Sequence, residues 1–175
     1  LYTVQHMNVD RDAYENFLWL LDLETGRETQ LTGGGRESGA FWLDSRHVVF
    51  SAVRGGEVPE KETVFYRIAV DGGEALEYMR VPIAGARASL LGEDRFLIRA
   101  DTDLNPESER DQEKWMFFDE YPYWGDGASY ENRHRRALFL WDRIAGELRQ
   151  LTTPTMQTFM PYCSDDVLAD EDGLC

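Results

Sequence analysis

A chain of 175 residues that is 42% apolar and 13% aromatic can fill one ordinary core, so its composition is that of a globular domain. Its formal charge of −15, from 33 acidic against 18 basic residues, argues against nucleic acid or an anionic membrane as partner, because phosphate binding needs basic surface. Two cysteines, Cys163 and Cys175, make no disulfide framework and fit a reducing, cytoplasmic setting, and no apolar run approaches the roughly 18–20 residues of a membrane span. In chain order, Leu1–His6 alternates like a half-buried strand, and Met7–Asn16 reads as a polar connection carrying Asp10, Arg11 and Asp12. Leu18–Thr32 reads as a β-hairpin turning at Gly26. Gly33–Gly35 then makes a loop, and Ala40–Asp44 with His47–Val53 forms a strand pair around Asp44-Ser45-Arg46. Gly55–Glu62 is a charged loop. A second hairpin opens at Val64 and turns at Gly73, and a second strand pair, Ala86–Leu91 and Arg95–Ala100, turns at Gly92-Glu93-Asp94. Asp101–Ala137 interrupts the pattern, first charged (Glu107–Lys114), then aromatic (Trp115–Gly127). A third hairpin follows at Leu138 and turns at Gly146. Thr153–Cys163 supplies a further loop and strand, and Ser164–Cys175 is acidic.

These elements repeat. Leu18–Thr32 (LWLLDLETGRETQLT) returns as Leu138–Thr152 (LFLWDRIAGELRQLT), with Leu, Leu, Asp, Gly, Gln, Leu and Thr in register. Phe65–Met79 is a more worn copy, and Arg95–Ala100 matches Arg46–Ala52. The turn keeps its glycine because only glycine adopts positive φ without steric cost. A period in the forties with four short strands per repeat and no helix predicts an all-β fold: a partial β-propeller of about three to four four-stranded antiparallel blades. One sheet of that size buries only one face by itself, so repeats of it stack. The expected blade remnants are about 1–16, 17–53, 63–101 and 136–169, with an insertion at 102–135.

Nucleophilic catalysis is not encoded here. No G-x-S-x-G elbow occurs, since Gly35-Arg36-Glu37-Ser38-Gly39 has the wrong spacing, and His6, His47 and His134 sit in strand patterns or among arginines. Asp101–Asn105 imitates the start of a calcium loop but has Pro106 at the sixth position and Gln112 at the twelfth, so it reads as a strand end; no metal and no cofactor are expected. The acidic run Asp165–Asp172 reads as a solvated face. The aromatic stretch holds Trp115, Phe117, Phe118, Tyr121, Tyr123 and Trp124 in ten residues. Either it lines a substrate passage or it packs a long loop against a sheet edge. In the first case Asp119 and Glu120 face a peptide's positive end and Arg133, Arg135 and Arg136 its carboxylate.

Three segments resemble the N-terminal propeller of the prolyl oligopeptidase family of serine peptidases, most closely its acylaminoacyl-peptidase-like branch, with a dipeptidyl-peptidase-like relation. The hairpin L-[WF]-x-x-D-x-x-x-G-x-x-x-Q-L-T is typical of that family's blades, and Asp10–Gly26 is similar to its first interblade crossing. Asp119-Glu120-Tyr121-Pro122-Tyr123-Trp124 with Gly125-Asp126-Gly127, leading to Arg135-Arg136-Ala137-Leu138-Phe139-Leu140, resembles that branch's D-E-x-P-[FY]-W-x-N-G-x-G segment and the R-R-x-L-[FY]-L strand after it. Here Asp126-Gly127 stands where the branch has Asn-Gly. The resemblance implies a non-catalytic propeller portion that gates and orients oligopeptides for a C-terminal α/β-hydrolase domain absent from these residues, which would carry the Ser, Asp and His triad. The substrate-binding candidates are Glu120, Tyr123, Trp124, Arg135 and Arg136. A stand-alone propeller-type interaction module without enzymatic activity is the alternative. An incomplete propeller also leaves unpaired strand edges, so self-association through an open blade edge is expected.

Overall fold

The computed structural model describes residues 1–55, 60–103, 123–125, 129–131, 134–152, 169–170 and 173–174, with side chains at 1–55, 60–102 and 136–152. All the elements among them are strands, as the hydrophobic periodicity requires. The first sheet orders β1 (Tyr2–Asn8), β2 (Ala13–Leu21) and β3 (Glu28–Gln30) as β1-β2-β3. The second joins β4 (Glu37–Trp42), β5 (His47–Ala52), β6 (Thr63–Ala69) and β7 (Leu76–Val81) in sequence order. The third holds β8 (Arg87–Gly92), β9 (Arg95–Asp103), β12 (His134–Asp142) and β13 (Glu147–Gln150), ordered β13-β12-β9-β8. Two short ladders complete the set: β10 (Tyr123–Gly125) with β11 (Ser129–Glu131), and β14 (Ala169–Asp170) with β15 (Gly173–Leu174). Every strand pairing in these ladders is antiparallel.

The three larger sheets stack through their side chains. Strand side chains alternate between faces, so the middle sheet must be apolar on both. Val48, Phe50 and Ile68 face Leu18 and Leu31 of the first sheet's hairpin, while Val49, Phe65, Met79 and Val81 face Phe96, Ile98, Ala100, Phe139 and Trp141 of the third. Burying each of the larger side chains favours the stack by about 1.5–3 kcal/mol. Charged side chains fasten the second seam from outside. Arg143 meets Asp94 at 2.6 Å and lies 4.7 Å from the ring centroid of Tyr78, whose phenol is pushed up chiefly by burial.

The residues shared by the first and third hairpins are the ones whose polar atoms close the turn. Asp22 Oδ1 accepts from the amides of Glu24 and Thr25, and Asp142 Oδ1 from those of Ile144 and Ala145. Gly26 and Gly146, at φ 69° and 68°, donate back to the carbonyls of Asp22 and Asp142. At the far end Thr32 Oγ1 accepts from the Leu18 amide at 3.0 Å and Thr152 Oγ1 from the Leu138 amide at 3.1 Å. The second hairpin has Ala69 where these have aspartate, and its ladder slips between Phe65 and Tyr66. A worn sequence copy is thus a worn hydrogen-bond copy.

Strand grouping differs from the blocks read in the sequence. Each four-stranded sheet begins with a strand pair and ends with a hairpin, so the hairpin that opens the sequence block closes the sheet. A repeat fixes its period but not its origin. The 16/17 boundary cuts β2, because Tyr14, Glu15 and Asn16 pair with Met7, His6 and Gln5; only Val9–Asp12 connects these strands. The 102–135 insertion joins the two central strands of the third sheet, since β9 and β12 pair across nine residues from Arg95 with Asp142 to Asp103 with His134. Most of that insertion, and Thr153–Cys163, lie outside the described residues. Among the described residues no helix is long and apolar enough to cross a membrane.

Candidate functional site

Antiparallel parity gives each sheet two unlike ends. One collects the tight turns at 22–27, 43–46, 70–75, 93–94 and 143–146. The other collects the short connection 9–12 inside the first sheet, the long ones 53–62 inside the second and 104–133 inside the third, and the sheet-to-sheet passages 31–36 and 82–86. Connecting segments carry function more often than the scaffold does, and this end holds the two longest within the sheets, 53–62 and 104–133.

At the seam between the first and second sheets, this end is acidic and tightly hydrogen-bonded. Glu15 Oε1 accepts from Asn8 Nδ2 at 3.0 Å and from Arg11 Nη1 at 3.2 Å. The Asn16 amide donates to the Gly35 carbonyl at 2.9 Å, beside an isolated parallel bridge from Asn16 to Arg36. Gly35, at φ 79°, lies so near Glu15 that a Cβ would stand 3.3 Å from its Cγ. Glu37 is 1% exposed; its Oε1 accepts from the Gly34 amide at 2.9 Å, while Oε2 has no partner among the described residues. A buried carboxylate holding one hydrogen bond is costly, and such groups mark strained or functional positions. Sequence reasoning missed Glu37, although the Gly33-Gly34-Gly35 run before it was the available signal.

At the third sheet the same end sets arginines beside aspartates. Arg135 and Arg136 open β12 and pair in register with Thr102 and Asp101 of β9. Arg136 Nε lies 3.3 Å from Asp101 Oδ1, so Asp101, read from the sequence as the start of a calcium-like motif, is an ion-pair partner within β9. Tyr123 and Trp124 lie in β10, opposite Glu131 and Tyr130. Glu120 lies outside the described residues, as do Trp115, Phe117, Phe118, Asp119, Tyr121 and Arg133. The fold therefore brings Arg135 and Arg136 to the connection end on one strand.

The opposite end carries a histidine–carboxylate pair without a nucleophile. His47 Nδ1 lies 2.9 Å from Asp44 Oδ2, but Asp44 also accepts from the amides of Arg46 and His47. Those bonds, the Arg46 amide first and the imidazole next, hold its carboxyl below the ordinary aspartate range. Among the described residues no hydroxyl or thiol bonds the imidazole, so the pair caps a turn.

No family model matches the chain, and no curated protein matches it. Solved structures do. The orthorhombic form of Pyrococcus horikoshii acylaminoacyl peptidase matches over 88% of this chain with a TM-score of 0.61 at 16% identity. The uncomplexed form of that enzyme matches over 86% with a TM-score of 0.59 at 16% identity. The chain spans only 23% and 22% of those two structures. At that identity the likeness is one of fold, and it falls on the group already reached from the hairpin and D-E-x-P residues: the chain is related in fold to acylaminoacyl-peptidase-like proteins.

Proposed function

We propose that the stacked sheets are blades of an incomplete β-propeller and that the chain is the non-catalytic propeller portion of a serine peptidase acting on oligopeptides. Its role is to gate and orient substrate for a hydrolase domain that these residues do not contain. The observation that carries this reading is the fold likeness to acylaminoacyl peptidase over 88% of the chain, in a sequence without a nucleophile elbow. The unlike ends support it. A peptide is a dipole with an ammonium and a carboxylate, and the connection end carries the partly exposed Glu15 carboxylate at the first seam and arginines on β12. In this reading Arg135 and Arg136 receive the peptide carboxylate, Tyr123 and Trp124 supply an apolar wall, and Glu120 faces the ammonium. The setting is cytoplasmic, in keeping with two cysteines and no disulfide framework.

Two measurements test the proposal. The chain alone should give no covalent adduct with a fluorophosphonate probe, and it should bind acetylated or free oligopeptides weakly, with the β12 start and β10 resonances shifting. Arg135→Ala and Trp124→Ala should each weaken that binding several-fold. A labelled serine, or binding indifferent to both substitutions, would overturn it.

A further inference from the structure

The two sheet-to-sheet passages are fastened by different means. At 82–86 a threonine on β6 does it: Thr63 Oγ1 donates to the Ile83 carbonyl at 2.8 Å and accepts from the Ala86 amide at 2.9 Å, and Ile83 packs on the apolar core. At 31–36 the middle is three glycines, with no side chain to anchor them. Gly34 is held by its amide on Glu37 Oε1 and Gly35 by its carbonyl on the Asn16 amide, each at 2.9 Å, while a Cβ at Gly33 would meet nothing within 4 Å. Glu37 itself departs from the repeat. Ser38 pairs with Ser51 and Arg87 with Arg99, so with Ala52 aligned on Ala100 the third sheet has Ala86 at the place of Glu37. Both positions are buried, but only Glu37 brings a polar side chain, and its Oε2 has no partner among the described residues. A side chain that costly, where the repeat offers alanine, marks a position used for more than packing.

We infer that Gly33–Gly35 is a strap that opens, and that opening uncovers the Glu37 carboxylate as an acceptor for a primary ammonium group, which rests on the chain's proposed role in peptide binding. The closed strap is a balance. One hydrogen bond to the Gly34 amide favours it, and the desolvation of a carboxylate opposes it. Thr32 is pinned on one side by the Leu18 amide and Glu37 on the other by its pairing with Ala52, so the movement is confined to 33–36. Glu15 lies against the same strap, its Cγ 3.3 Å from the place of a Gly35 Cβ. Its Oε1 is taken by Asn8 and Arg11, and no described residue bonds its Oε2. The open strap therefore leaves two carboxylates with unused oxygens. Among the described residues no three His, Cys, Asp or Glu converge as metal ligands, so the site is too poor in ligands for a divalent cation. An ammonium, compact and with three donors, suits it better than the wide fork of a guanidinium.

Gly34→Ala separates the two states. Gly34 is not among the positive-φ glycines, so its backbone accepts alanine, but the new Cβ would stand 2.8 Å from Glu37 Oε1 and obstruct closure. In NMR titrations of the full chain with tetra-alanine amide, this variant should bind about three- to tenfold more tightly than the parent, because the competent state is no longer the minor one. Adding Glu37→Gln, which keeps the shape and removes the charge, should abolish that gain. Acetylated tetra-alanine amide should show no gain at all, and an acetylated tripeptide amide with a central lysine tells a side-chain ammonium from an N-terminal one. Should Gly34→Ala fold poorly, carboxyl labelling of the unaltered chain decides. Glu37 should react with carbodiimide and glycinamide faster than the whole chain unfolds, and tetra-alanine amide should slow that reaction. A Glu37 labelled only on global unfolding overturns the inference. So does a folded Gly34→Ala variant that binds the ammonium probes no more tightly than the parent; if binding still responds to Arg135→Ala and Trp124→Ala, the peptide-binding role stands without the strap.

Discussion

The first and third sheets contain the same hairpin at the same phase, yet only one buries both sides of it. Phe139 and Trp141 are 6% and 5% exposed because the second sheet lies against them. Their counterparts Trp19 and Leu21 belong to neither apolar cluster, and Leu21 is 41% exposed. On the opposite face of the same hairpin, Leu18 is fully buried against the second sheet. Burial is therefore conferred by the neighbour in the stack, while the hairpin itself is conferred by its Asp, Gly and Thr. That separates two kinds of residue: those whose loss is felt everywhere the repeat occurs, and those whose loss is felt only where a sheet covers them.

The largest contrast is expected between covered and uncovered aromatics. Phe139→Ala should cost about 3–5 kcal/mol, from lost burial and the cavity left in the interface. Trp19→Ala removes a larger ring but should cost markedly less, about 1–2 kcal/mol, because that side chain is only partly buried and packs in neither apolar cluster. Urea unfolding of the two variants checks this. Equal losses would mean that the outer face of the first sheet is covered in solution, for instance by a second copy. Next in size is the threonine that ends the hairpin. Thr32→Val keeps the shape but leaves the buried Leu18 amide without its acceptor, for a loss of about 1–3 kcal/mol. Thr152→Val should cost less, since its bond to the Leu138 amide is only part-buried. Smaller again is Gly26→Ala. The site is open to a Cβ, so only the left-handed backbone is penalised, by about 1 kcal/mol, and Gly26→Asn should recover most of it.

Much of this was legible because turn chemistry is local. Asp22, Gly26 and Thr32 recur as Asp142, Gly146 and Thr152, and each repeats a hydrogen bond that spans at most fourteen residues. The strand pairs around Asp44 and Asp94 were legible for the same reason. What sequence hid was everything set by partners far along the chain. The polar start of β2 reads as a loop because Glu15 and Asn16 answer to Asn8, Arg11 and Gly35 rather than to an apolar face. The phase of the sheets was hidden because a periodic pattern looks alike from any starting point. At the candidate site, Arg135 and Arg136 were legible as a basic cluster, whereas the burial of Glu37 depends on Gly34 lying against its carboxylate, for which the glycine run was the one signal in the sequence.

The finest probe of the hairpin is the ionisation of its aspartate. Thr25 Oγ1 donates to Asp22 Oδ2 at 2.7 Å, and the Glu24 and Thr25 amides donate to Oδ1. Together, with the Thr25 hydroxyl first, they hold the Asp22 carboxyl below its ordinary value. A carboxyl depressed in the folded state lends its stability in full above the unfolded pKa. It loses that contribution as pH falls through the folded pKa, so the turn should loosen only under acid conditions below the ordinary aspartate range. Thr25→Val deletes the leading donor and leaves the amide donors in place. NMR titration should then show the Asp22 carboxyl moving up toward the ordinary value without reaching it, and the Gly26 amide, which bonds the Asp22 carbonyl, keeping its protection at neutral pH. If the value does not move, the backbone amides alone set the ionisation, and the faithful copy at Asp142, whose turn has Ala145 in place of Thr25, is the sufficient form of the motif.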